Sequence, residues 1–152
     1  MKIAIEEARK GISLGHGGPF GAVVVNNDGF VIGRGHNMVV INNDPTAHGE
    51  ICAIRDACKN TGSFDLSGAV LYTTCYPCPM CLGAILWARI EKVYYCCDSA
   101  DAEKIGFADN GFYDFFADKN KINKLLALDK NSLKECRNLF EYYNKLTDKT
   151  KY

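Results

Sequence analysis

His48-Gly49-Glu50 and Pro77-Cys78-Pro79-Met80-Cys81 are the two stretches around which the fold has to be built. The first opens a helical stretch. The second stands at the start of another, about one strand further on. For both to work, the chain must bring them together in space. One imidazole nitrogen and two sulfurs, with a carboxylate nearby, can then hold one zinc ion and leave its fourth position to water. Cysteines at i and i+3 in a first turn point to the same side, and Pro79 suits that turn. The positive ends of two helices would converge on the thiolates and on the water. Glu50 lies two residues past His48, so its side chain points elsewhere than the imidazole. It stays off the metal, placed to take a proton from water and pass it to a leaving nitrogen.

Outward from these motifs, strands and helices alternate. Ile5, Ala8 and Ile12 lie at helical spacing in residues 2–14, with Glu6, Glu7, Arg9 and Lys10 on the other side, which predicts an amphipathic helix. Phe20–Val25 and Phe30–Gly35 read as strands joined by an Asn26-Asn27-Asp28-Gly29 turn. Val39-Val40-Ile41 continues the apolar pattern, and Asn42-Asn43-Asp44-Pro45 is a loop. Thr46 is the expected N-cap of a helix from Ala47 to about Asn60, with Ile51, Ile54 and Cys58 on one face. Gly68–Thr74 reads as a buried strand, Pro79–Ala88 as a helix and Lys92–Cys97 as a further strand. A short helix at Asp101–Ile105, aromatics from Phe107 to Phe116 and a final helix from Leu133 to about Leu146 complete the chain. A hairpin followed by alternating elements implies a mixed sheet covered on both faces. The 152 residues show no repeat or linker, so one domain spanning 1–152 is expected.

Composition narrows the function. Lysine plus arginine and aspartate plus glutamate are both 18, giving zero formal net charge. A nucleic-acid partner normally requires a basic excess or stripe, so none is expected. No apolar run approaches a membrane span of ~20 residues. Two acids near the N-terminus argue against a signal peptide, so a cytoplasmic protein is expected. The eight cysteines then read as reduced or metal-bound. Cys75-x-x-Cys78-x-x-Cys81 is not an iron–sulfur run, because no Cys-Pro follows Cys81. A closed structural zinc with Cys75 as fourth ligand stays open, although strand geometry would aim Cys75 away from the helix. The glycines at 15, 17 and 18 match neither the Walker spacing nor Gly-x-Gly-x-x-Gly after a strand. His16 and His36 read as solvent-facing or loop histidines.

His-x-Glu with Pro-Cys-x-x-Cys is the signature of zinc nucleobase deaminases, in which the glutamate is acid and base and not a ligand. Beyond it, Gly17–Val23, Asn43–His48, Thr74–Ile85, Trp87–Arg89, Ala102–Asp109 and Tyr152 resemble the bacterial guanine deaminases of the cytidine deaminase superfamily. That resemblance implies a three-layer α/β/α sandwich with a five-stranded mixed sheet, one zinc per chain held by His48, Cys78 and Cys81, and hydrolysis of guanine to xanthine and ammonia. It implies that Glu50 and Asp109 handle protons, that Asn37 hydrogen-bonds the base and that Phe20 contacts its ring. The Gly49 backbone would approach the purine base, and Trp87 would line the pocket. Tyr152, in a C-terminal segment over 117–152, would act as a lid in a homodimer, over its own site or, with the segments swapped, over the partner's. Gly49 departs from the alanine usual in that group, weakening the helix start by ~1 kcal/mol at most. The aromatics around Asp109 would exclude water. A tRNA adenosine deaminase, another free-base deaminase such as one for cytosine, and a non-catalytic zinc-stabilised module remain as alternatives.

Overall fold

The structure, a computed structural model, describes residues 1–117, 126, 134–148 and 150. Its elements are α1 (Lys2–Ser13), β1 (Gly21–Val25), β2 (Val31–His36), α2 (Val39–Asn42), α3 (Gly49–Thr61), β3 (Val70–Cys75), α4 (Pro79–Trp87), β4 (Lys92–Cys97), α5 (Ser99–Lys104), α6 (Asn110–Ala117) and α7 (Lys134–Lys145). The chain divides into two compact units, Met1–Tyr113 and Asp114–Tyr152.

The first unit is built on one mixed sheet in the order β2-β1-β3-β4. β1 runs antiparallel to both β2 and β3, and β4 is parallel to β3. The sheet has four strands among the described residues, not the five that the family resemblance implied. The β-branched and aromatic runs supply four and no more: after β4, Asp98 and Asp101 form a reciprocal capping box that turns the chain directly into α5.

Register sorts the side chains into layers. Ala22 faces Gly35 and Thr73 across its neighbours, and Val24 faces Gly33 and Leu71, so these positions share a face. That face packs on α3: a Cβ at Gly33 would lie 2.3 Å from the Ala53 carbonyl oxygen. Ala22, Val24, Ala53, Ile54, Leu71 and Ile85 are the heart of this core. The opposite face packs on α1, where a Cβ at Gly21 would sit 2.2 Å from the Ala4 carbonyl oxygen. Helix, sheet and helix therefore form three layers. α1 buries Ala4, Ala8 and Gly11, while Ile5 and Ile12 are exposed. The expected Ile5/Ile12 face is thus wrong: so close an approach to the sheet admits only small residues.

Two other local expectations fail for visible reasons. Val39-Val40-Ile41 winds into the short α2, with Val40 and Ile41 exposed. Thr46 does not cap α3, because its backbone N–H and its hydroxyl both donate to Asp44 Oδ1, at 2.8 and 2.7 Å. His48 takes the cap position in an extended conformation, and the helix begins at Gly49.

In the second unit, α7 carries Leu139, Phe140 and Tyr143 exposed on one stripe. The Tyr143 hydroxyl donates to the Thr150 carbonyl at 3.0 Å. Much of the 117–152 segment expected to act as a lid, Tyr152 included, lies outside the described residues.

Candidate active site

The two opening motifs meet at the α3/α4 edge of the first unit. His48 is the N-cap of α3 and Cys78 the N-cap of α4, both extended, and Pro79 fills the first helical position of α4. Cys81 follows one turn on, fully buried. One ligand atom from each of His48, Cys78 and Cys81 lies within 4.8 Å of the others. His48 Nδ1 is 3.6 Å from Cys78 Sγ and 3.7 Å from Cys81 Sγ. Among the described residues this is the one such grouping of three, and it holds the soft sulfur and imidazole donors that zinc takes.

Protonation supports the fit. The Cys81 thiol and His48 hold Cys78 down to about 4, which makes it a thiolate at neutral pH. Its hydrogen bond, with burial and the Glu50 charge, pushes Cys81 up, and a hydrogen bond to Cys78 likewise pushes His48 up. The cluster therefore retains protons that a dication would displace. Cys75 does not join it. Burial pushes that thiol up to about 11, and its Sγ donates to the Asp98 carbonyl at 3.4 Å. The donor set has three members, which fits an open site and not a closed four-ligand one.

Glu50 is buried at the same point. Thr73 donates its hydroxyl to Glu50 Oε1 at 2.8 Å, and the Cys81 thiol donates to Oε2 at 3.4 Å. Burial raises the carboxyl above its ordinary value, a condition suited to a group that must take a proton and release it. Thr73 is fully buried and went unnoticed in the sequence. The signal was there: Leu71, Thr73 and Cys75 alternate inward, and a hydroxyl at an inward strand position needs a partner.

A cavity of about 640 Å³ opens over this cluster, within the first unit. Phe20, Asn37, His48, Glu50 and Asp109 all line it, so the structure gathers most of the expected site residues around one space. Asn37 Oδ1 accepts the Val39 N–H at 3.2 Å, which fixes that side chain at the cavity lining. Asp109 Oδ1 is buried without a hydrogen-bond partner. Burial and the Cys78 charge raise the Asp109 carboxyl. Its Oδ2 lies 3.5 Å from the Tyr113 hydroxyl, which also donates to the Pro77 carbonyl at 2.9 Å. Phe107 packs edge-on against Phe20 at 5.0 Å between centroids, and both line the cavity. Of the other aromatics near Asp109, Phe112 is exposed. Gly49 lies beneath the floor: a Cβ there would be 3.0 Å from the Phe20 carbonyl oxygen, so glycine relieves a tight approach to β1. Trp87 stands apart, 67% exposed at the end of α4 and outside the cavity lining.

A profile of the cytidine and deoxycytidylate deaminase zinc-binding region matches residues 1–97. The chain belongs to that family. This deaminase is 43% identical to the guanine deaminase of Bacillus subtilis over 152 residues, all of this chain and 96% of its relative. The crystal structure of the Bacillus subtilis guanine deaminase matches it with a TM-score of 0.92 at 42% identity, covering 99% of this chain and 95% of that one. A tRNA-specific adenosine deaminase of Haemophilus influenzae is 38% identical over 135 residues, 89% of this chain and 75% of its own. Zinc is the metal of the family, and the three-member donor set here matches one ion per chain.

Proposed function

We propose that this deaminase hydrolyses guanine to xanthine and ammonia. The observation that carries the choice of base is Asp109. A buried carboxylate oxygen without a donor, lining the same cavity as Glu50, calls for a ligand that brings N–H groups. Guanine presents N–H donors along the edge that bears its exocyclic amine. The Asn37 Nδ2 amide complements an acceptor on the same base. Similarity to the Bacillus subtilis guanine deaminase along the whole chain supports the same reading.

When bound, zinc supplies a Lewis acid that makes water a nucleophile near neutral pH. Glu50, with Oε1 held by Thr73, takes a proton from the attacking water and delivers one to the departing nitrogen. Asp109 receives the donor edge of the base. Phe20 and Phe107 exclude water from the ring faces. The cavity volume falls in the usual small-molecule range of ~300–1,000 Å³.

The reading includes a homodimer. α4 bears no charge from Pro79 to Trp87 and exposes Leu86 and Trp87, a face that a second copy would cover. Tyr152 and the C-terminal segment retain their proposed lid role there. All eight cysteines are unpaired, in keeping with a reducing cytoplasm. No described helix is long and apolar enough to cross a membrane.

The test is ammonia release by zinc-loaded protein from guanine, cytosine, adenine, guanosine and a tRNA. Guanine should be turned over at least about a hundredfold faster than the others, the discrimination that a buried polar edge can impose. Equal rates on guanine and cytosine would overturn the choice of base, and activity on the tRNA alone would assign the adenosine reading.

A further inference from the structure

Glu7, His36 and His16 form a chain of hydrogen bonds that the deamination chemistry does not use. His36 Nδ1 lies 3.2 Å from Glu7 Oε2, and His36 Nε2 lies 2.9 Å from His16 Nδ1. A carboxylate only accepts, so His36 Nδ1 carries the hydrogen. With His36 neutral, its Nε2 is an acceptor, and the proton between the rings belongs to His16 Nδ1. Each link donates in one direction, from the loop through β2 into α1. The chain is well enclosed, with the His36 and Glu7 side chains 9% and 14% exposed. Gly11 makes the room: a Cβ there would lie 2.7 Å from His36 Cδ2. This places His36 in the interior, not in solvent or a loop as its sequence position implied, and Glu7 on the packed side of α1.

Both histidines adjoin the wall that receives the base. His36 ends β2, and Asn37 follows it, its backbone N–H donating to the Phe20 carbonyl at 2.8 Å. His16 lies between Gly15 and Gly17, which both line the cavity. Its carbonyl accepts from the backbone N–H groups of Val40 and Ile41, at 3.1 and 3.2 Å. Gly17 lies so close to Asn37 that a Cβ there would stand 2.0 Å from Oδ1. The loop, α2 and Asn37 are thus in mutual contact, and the Glu7–His36–His16 chain is the side-chain link that ties this group to α1. Well-packed apolar residues often replace buried polar pairs without loss of stability, so packing alone does not call for a buried polar chain here.

We propose that Glu7, His36 and His16 are positioning residues for base recognition. They fix the glycine loop and Asn37 relative to each other, and so set purine affinity and not the rate of the chemical step. The inference rests on the guanine reading above, and its test carries one readout that does not.

The variants are Glu7→Leu at one end and His16→Leu at the other, each loaded with zinc. Either should raise KM for guanine about fivefold, the effect of one lost hydrogen bond, with kcat unchanged within about twofold. The double variant should be no worse than the single ones, because one broken link already uncouples the chain. Glu7→Gln keeps an oxygen acceptor for His36 and should restore most of the affinity. Amide hydrogen exchange at Val40 and Ile41 should quicken in both leucine variants while Ile54 in α3 stays as it was, whatever the substrate. If Glu7→Leu does not fold, His16→Leu, in a partly exposed loop, decides alone. Unchanged exchange at Val40 and Ile41 overturns the positioning role. Faster exchange with an unmoved KM, or KM effects that add, overturns its link to base recognition. An unmodified protein that ignores guanine refutes the guanine reading, and exchange then decides the positioning role by itself.

Discussion

The two walls of the cavity are built by different means. On the metal wall, His48 and Cys78 start two helices, and the side chains there partner one another: Cys78 with His48, Cys81 with Glu50, Glu50 with Thr73. On the opposite wall, Asn37, Phe20, Gly17 and Phe107 come from segments between elements, and Asp109 Oδ1 has no partner at all. The first wall is complete in itself and fits a reaction common to the family. The second is unfinished without a ligand and fits the choice of base. On the proposed reading, chemistry sits on helix starts braced by a sheet and selectivity on loops, the arrangement in which a rigid scaffold carries variable binding segments.

The contrast can be broken at its strongest point by acid. In the metal-free cluster, His48 and Cys81 hold their protons to higher pH than usual, so zinc must displace protons to bind. Apparent zinc affinity therefore rises with pH and falls on acidification, most steeply as Cys78 itself approaches protonation at about 4. Dialysis at about pH 5 should strip the metal and all activity, and zinc restored at about pH 8 should bring both back. Zinc content constant between those values would contradict the proton count.

A smaller effect is expected on the other wall. Asp109→Asn keeps the shape and removes the charge, and should lower kcat/KM for guanine by about tenfold to a hundredfold, from a buried charge-assisted hydrogen bond. Zinc content, measured by atomic absorption, should not move. Loss of zinc in that variant would mean that the two walls are not separable.

The same division governs what the sequence revealed. Spacing along one helix start made Cys78 and Cys81 legible, and the His48/Glu50 offset set the carboxylate off the metal. The four β-branched runs are the four strands of the sheet, and it was the resemblance, not the residues, that added a fifth. Partners brought together by register were invisible: Thr73 reaches Glu50 across 23 residues, and His36 reaches Glu7 across 29. Capping preference chose Thr46, but Asp44 accepts from that residue's N–H and hydroxyl, and His48 caps α3 while presenting its ring to the cysteines. The aromatic run after Ile105 offered no basis for separating Phe107, which lines the cavity, from the exposed Phe112.

The most direct measurement is guanine binding and turnover by Glu50→Gln with zinc counted in the same sample. That substitution keeps the size and the Thr73 contact but cannot take up a proton. It should retain one zinc per chain and bind guanine within about threefold of the unmodified protein, while turnover falls by about 10²–10⁴-fold. Turnover within about threefold of the unmodified protein, with zinc in place, would remove Glu50 from the chemistry and with it the division of labour between the two walls.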